Sequence, residues 1–97
     1  MWLPPPPDVT DPAAVPYFNW DAPVTNATIR SALAGPDVDD RRYWMARILR
    51  EARYDDVWAY LRPREVHAEL PALLPLLGRR RDFWVFLFDR WRAQGVV

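Results

Sequence analysis

A chain of 97 residues with 51% hydrophobic residues, including six Trp, four Tyr and four Phe, builds one small domain and is not wholly disordered. It has no Cys, which excludes disulfides, thiolate zinc sites and cysteine nucleophiles, and no apolar run approaches the roughly 20 residues of a membrane span. Net charge is zero, but residues 1–40 hold six Asp against Arg30, a net of −5, and the remainder holds twelve Arg against seven acids, a net of +5.

The N-terminus, MWLPPPPDVTD, lacks the basic and apolar regions of a signal peptide, so a cytoplasmic location is expected. Residues 1–24 contain seven of the eleven prolines and are expected to form an extended arm, partly polyproline II. Trp2, Tyr17, Phe18 and Trp20 lie in this arm, and a pure linker needs few aromatics. The stretch YFNWD reads as an anchor that crosses the helical body or enters a partner's groove, with packing on the body favoured. The stretch before it, with its four-proline run Pro4 to Pro7, is the better candidate for a free or partner-bound arm. Deleting residues 1–16 is then expected to preserve helical content and weaken partner binding.

Residues 25–97 read as a helical domain. Thr25 caps NATIRSALA, which Gly35 and Pro36 end. Asp37 or Asp39 caps a helix over 38–53, with an apolar stripe of Trp44, Met45, Ile48, Leu49 and Ala52 and with Arg47, Arg50 and Arg53 towards its C-terminus. Asp55 is expected to cap DVWAYL, burying Val57, Trp58 and Leu61. Pro63 suits the first position of PREVHAEL, whose Val66 and Leu70 turn inward. Pro71 and Pro75 are expected to divide PALLPLLG into tight apolar turns. A last helix over 80–94 is expected to bury Phe83, Trp84, Leu87, Phe88 and Trp91 before Gly95 ends it. No segment alternates with period two. The fold class is all-α: a small bundle of about five short helices with an extended Pro-rich N-terminal arm.

Chemical motifs are sparse. His67 in HAE matches the H-x-E fragment of zinc deaminases, but that motif also needs P-C-x-x-C, so a solvated helix-face histidine is the expectation. The acids in DVDDRR and YDDVW sit at predicted helix starts, where capping explains them. With three glycines and no G-x-S-x-G, P-loop or dinucleotide fingerprint, the chain reads as a non-enzyme without metal or cofactor.

The aromatics exceed what a bundle this small easily covers, which leaves Trp20, Tyr43, Trp58, Tyr60, Phe86 and Trp91 as sources of a surface completed by a partner. The run Arg79, Arg80 and Arg81 has no evident role in the fold. With Arg62 and Arg64 it could straddle phosphates, and residues 55–70 admit a helix-turn-helix reading, opposed by Glu65, Glu69 and the zero net charge. The run could instead meet a partner's acidic groups or fold back onto the acidic arm. The partner-binding residues expected are Trp2, Tyr17, Phe18, Trp20, Arg47, Arg50, Arg79, Arg80 and Arg81.

The stretch RYWMARILREARYDDVWAYLRPREV followed by GRRRDFW resembles small helical proteins of unassigned domain type, encoded in bacteria and archaea beside nucleotidyltransferase-like toxins as their apparent antitoxins. The resemblance covers about residues 17–92. It implies a non-catalytic partner that neutralises a toxin transferring nucleotides to RNA or protein targets. It also implies that Trp44, Arg47, Trp58, Phe83 and Trp84 are motif positions, in the core or at the interface. The tetraproline arm and the three-arginine run depart from the family pattern. The alternative reading is a small DNA-binding regulator that uses the Arg-rich C-terminal half.

Overall fold

The structure is a computed structural model that describes residues 7–97; Trp2 and Pro4 to Pro6 lie outside the described residues. Six α-helices follow in order: α1 (Pro7–Thr10), α2 (Asn26–Ala34), α3 (Val38–Glu51), α4 (Tyr54–Val57), α5 (Pro63–Leu73) and α6 (Arg81–Ala93). Short 3₁₀ turns occupy Tyr17–Asn19, Leu74–Leu76 and Gly78–Arg80. There is no strand among the described residues, and no helix long and apolar enough to cross a membrane.

Local chemistry sets most helix ends. The Thr25 hydroxyl accepts from the Thr28 N–H at 3.4 Å, and the Asp37 carboxylate accepts from the Asp40 N–H at 3.1 Å. Pro63 opens α5, where a missing N–H forfeits no helical bond. Past α6, Gly95 takes φ +77°, which lets its N–H reach Arg92 O and the Val96 N–H reach Trp91 O at 2.8 Å, a Schellman closure.

Three expectations about elements need correction. Asp55 is not a cap: α4 begins at Tyr54, so both Asp55 and Asp56 lie in its first turn, and Asp56 is buried. Pro71 does not end α5, which continues to Leu73. So near the helix end its missing N–H forfeits a single bond, while burial of Leu73 and Leu77 holds the chain on the core. Phe83 is 44% exposed, because the inward face of α6 is centred on Trp84 and Phe88, with Leu87 and Trp91 partly buried beside them. One helical step from Trp84 carries Phe83 about 100° around the axis.

α3 is the axis of the core. Residues Trp44 to Leu49 are all buried, and the helix packs against α2, α4, α5 and the Gly78–Arg80 turn. Its C-terminal carbonyls lack intrahelical donors, and other elements supply them. The Trp84 indole donates to Leu49 O at 3.0 Å, while Arg80 donates to Leu49 O at 3.4 Å and, in a short bond, to Ala52 O. A cation at this helix end is also favoured by the dipole. Arg80, which the sequence leaves without a role in the fold, is therefore a helix cap.

Residues 7–24 do not run as a uniformly extended arm. Pro7 opens the single turn of α1, Asp11 and Pro12 form a turn closed by the Ala14 N–H on Asp11 O, and Pro16 keeps polyproline-like angles (φ −69°, ψ 152°) before the next 3₁₀ turn. Val9, Phe18 and Asn19 are buried. The segment is rich in carbonyls and poor in N–H groups, and the start of α2 supplies the donors. Asn26 Nδ2 donates to Asp8 O at 2.7 Å and Asp11 O at 2.9 Å; the Asn26 and Ala27 N–H groups donate to Ala14 O and Pro12 O; Arg30 donates to Val9 O at 2.8 Å. These bonds join residues 8–14 to the start of α2.

This arrangement reverses the expectation for truncation. Removing residues 1–16 takes out Val9, leaves Asn26 Nδ2 without its two acceptors and removes one of the two carbonyls that Arg30 meets, so the melting temperature should fall. Asn26→Ala in the full chain should cost about 2–4 kcal/mol in urea denaturation, since two carbonyls and the Tyr60 hydroxyl lose a buried partner. A loss below ~0.5 kcal/mol would show that the segment is held by other means.

Candidate functional site

The anchor aromatics divide by burial. Phe18 is 3% exposed and meets Tyr17 and Tyr60 edge to face, with ring centroids 5.6 and 5.5 Å away. Tyr17 is half-buried; its hydroxyl donates to Asp56 Oδ2 at 2.5 Å and accepts from the Arg53 N–H at 2.8 Å, and the Arg53 guanidinium lies 4.9 Å from its ring centroid. Burial, and then the bond to Asp56, push the Tyr17 pKa up to about 12. Burial likewise raises Tyr60, whose hydroxyl bonds Asn26 Oδ1. Trp20, by contrast, is 82% exposed.

The basic candidates divide in the same way. Arg47 is buried and donates to Phe18 O at 3.4 Å and, in a short ion pair, to Asp21. Burial disfavours its charge, yet the bonds to Asp21 and then Tyr43 hold its pKa above the ordinary value. Folding of an arginine onto the acidic segment thus occurs, but through α3 rather than through the 79–81 run. Arg50 is half-buried, with Nε 3.0 Å from Glu51 and Nη1 donating to Leu76 O at 3.0 Å. Arg80 caps α3. Arg79 and Arg81 are left at the surface; Arg81 lies 3.7 Å from Asp82, and Arg79 has no hydrogen-bond or ion-pair partner among the described residues.

The surface these leave is concentrated on α6. Phe83, Phe86 and Arg90 recur at steps of three and four along one exposed side of α6, and Arg79 is exposed in the Gly78–Arg80 turn just ahead of them. Phe86 is 58% exposed, and the Arg90 guanidinium lies 5.7 Å from its ring centroid. Tyr54, from α4, meets Phe83 edge to face at 5.8 Å. Between them Tyr54, Arg80, Phe83 and Trp84 line a notch of about 220 Å³. Tyr54, Phe83 and Arg90 are not among the residues expected to bind a partner, although the offset of 83, 86 and 90 from the core line of 84, 88 and 91 is visible on a helical wheel.

A second concavity of about 330 Å³ lies between α2, α3 and α5, lined among others by Leu33, Met45, Tyr60 and Leu61. Its Glu69 is already engaged, by Arg42 Nε at 2.6 Å and by Arg41 at 3.9 Å. His67 is not fully solvated: it is half-buried and stacks on Phe88 with centroids 5.8 Å apart. No group of three or more His, Cys, Asp and Glu side chains able to hold a metal occurs among the described residues.

What geometry defines is a small all-helical domain with one exposed aromatic ridge flanked by arginines. Comparison of the chain with protein-family models, curated proteins and solved structures finds no match.

The Tyr17–Asp56 bond has a measurable pH signature. A folded-state pKa raised from 10.0 to about 12 means that the protonated phenol contributes stability below pH 10, and that this contribution is lost as pH rises from 10 towards 12. Urea midpoints followed against pH should fall over that window. Tyr17→Phe should lower stability by about 1–3 kcal/mol at neutral pH, because Asp56 and the Arg53 N–H lose a partner, and should flatten the alkaline fall.

Proposed function

We propose that this chain is a non-catalytic protein-binding module, and that its partner is a nucleotidyltransferase-like toxin which it neutralises as an antitoxin. The partner class rests on the resemblance of residues 17–92. The binding role rests on one observation: Phe83 and Phe86 stand 44% and 58% exposed on a regular helix, beside arginines that the fold does not use. Aromatic and arginine side chains held on a rigid element are the residue types that dominate binding hot spots. Covering apolar rings of this size removes on the order of 1–3 kcal/mol each of unfavourable hydration. The same helix already carries a buried face in Trp84 and Phe88, so the outer rings are not needed to close the core.

Co-expression with the products of the flanking genes, one of which this reading requires to be nucleotidyltransferase-like, tests it. A stoichiometric complex should elute as one species in size-exclusion chromatography, survive raised salt because its centre is apolar, and abolish the toxicity of the partner. If no stoichiometric protein is recovered and the isolated chain instead retards a DNA duplex at physiological salt, with affinity falling steeply as salt rises, the chain is a nucleic-acid binder and the proposal fails.

A further inference from the structure

We infer that Phe83, Phe86 and Arg90 of α6, together with Arg79 of the turn before it, receive an amphipathic helix of the partner whose apolar ridge is bracketed by a carboxylate at each end. This rests on the protein-binding reading and specifies the surface and the chemistry of what it binds. From Arg79 in the turn to Arg90 on α6 is eleven residue steps, or about 16 Å at the rise of an α-helix. That length matches three turns of a facing helix. The notch beside Phe83, lined by Tyr54, Arg80 and Trp84, supplies a recess for a side chain of the facing ridge.

Charge decides the occupant. Neither of the two cations that bracket the rings has an acid partner among the described residues: Arg79 has no polar contact, and Arg90 lies only against Phe86. The acids of α6, Asp82 and Asp89, lie beside arginines of the same helix, with Arg81 at 3.7 Å and Arg92 at 3.9 Å. The rings are thus left between two uncompensated positive ends. A second copy of α6 is a poor occupant: antiparallel pairing sets Arg79 against Arg90 of the copy, and parallel pairing sets each against itself. A facing helix with carboxylates at the corresponding spacing meets both cations and covers both rings.

The test uses the full chain, labelled with ¹⁵N, and synthetic helix-forming peptides that share one leucine ridge. Their ridge is bracketed by Glu, Gln or Lys at the spacing of Arg79 from Arg90. The Glu peptide should bind at least ~5-fold more tightly than the Lys peptide, with shifts confined to α4, the Gly78–Arg80 turn and α6. R79E/R90E should invert the preference, and F83A/F86A should remove binding to all three while leaving the melting temperature unchanged within a few degrees. Equal binding of the Glu and Lys peptides, no binding of any peptide, or shifts centred on Trp20 or the α2–α3–α5 concavity each overturn the assignment. So does a wild-type dimer that F83A/F86A converts to monomer, since the occupant is then a second copy. If R79E/R90E retains the stoichiometric toxin partner, the α6 assignment fails and the module reading stands; if the wild type has no such partner, the module reading itself fails.

Discussion

A proline-rich chain carries carbonyls without a matching set of N–H groups, so it packs only where the body presents donors. That constraint organises this molecule. The first turn of α2 has two free backbone N–H groups and the forked donor of Asn26, and together with Arg30 these collect the carbonyls of Asp8, Val9, Asp11, Pro12 and Ala14. The Asn26 Oδ1 then accepts from Tyr60, and Arg30 lies over the Tyr60 ring at 4.4 Å. One asparagine therefore joins the N-terminal segment, α2 and the turn before α5. A buried amide of this kind fixes position more than it adds net stability, because its alternative is an unsatisfied polar group.

The same logic governs the arginines. Arg30, Arg47 and Arg80 point their guanidinium groups at backbone carbonyls that secondary structure leaves open: Val9 and Ala59, Phe18, and the last turn of α3 respectively. Each guanidinium serves two acceptors from one terminal nitrogen. Asp21 neutralises the most buried of the three, Arg47, although Arg47 Nε and Asn19 Oδ1 are buried without a hydrogen-bond partner among the described residues. The C-terminal excess of positive charge is thus partly internal, and charge counting overstates what reaches the surface.

Periodicity and capping residues made most of the helical body legible. Thr25, Asp37, Pro63 and Gly95 announce their helix ends because each acts through bonds to immediate neighbours in sequence. Asp56 and Pro71 did not, because their roles depend on distant partners: Asp56 turns inward to meet Tyr17, and Pro71 is carried in a helix that burial of Leu73 and Leu77 keeps on the core. The candidate site was legible only in part. Residue type drew attention to Tyr17, Phe18, Arg47 and Arg80, but long-range hydrogen bonds and core packing determine that these hold the fold together. Trp20, Arg79 and Arg81 are the expected residues that remain available at the surface, and Tyr54 and Phe83 join them only because α4 is folded against α6.

α6 therefore carries two stripes with different duties. The inner one, Trp84, Phe88 and Trp91, fixes the helix against α3 through apolar contact and the indole bond to Leu49 O. The outer one, Phe83 and Phe86 between Arg79 and Arg90, is rotated by about one residue step, or 100°, from it. Because Arg80 caps α3 from the turn that precedes α6, the start of the outer stripe is held by the same bond that closes the core helix. Any binding surface here is consequently pre-organised: its aromatic rings are held on an element whose opposite face is already packed, and little backbone ordering is left for a partner to impose.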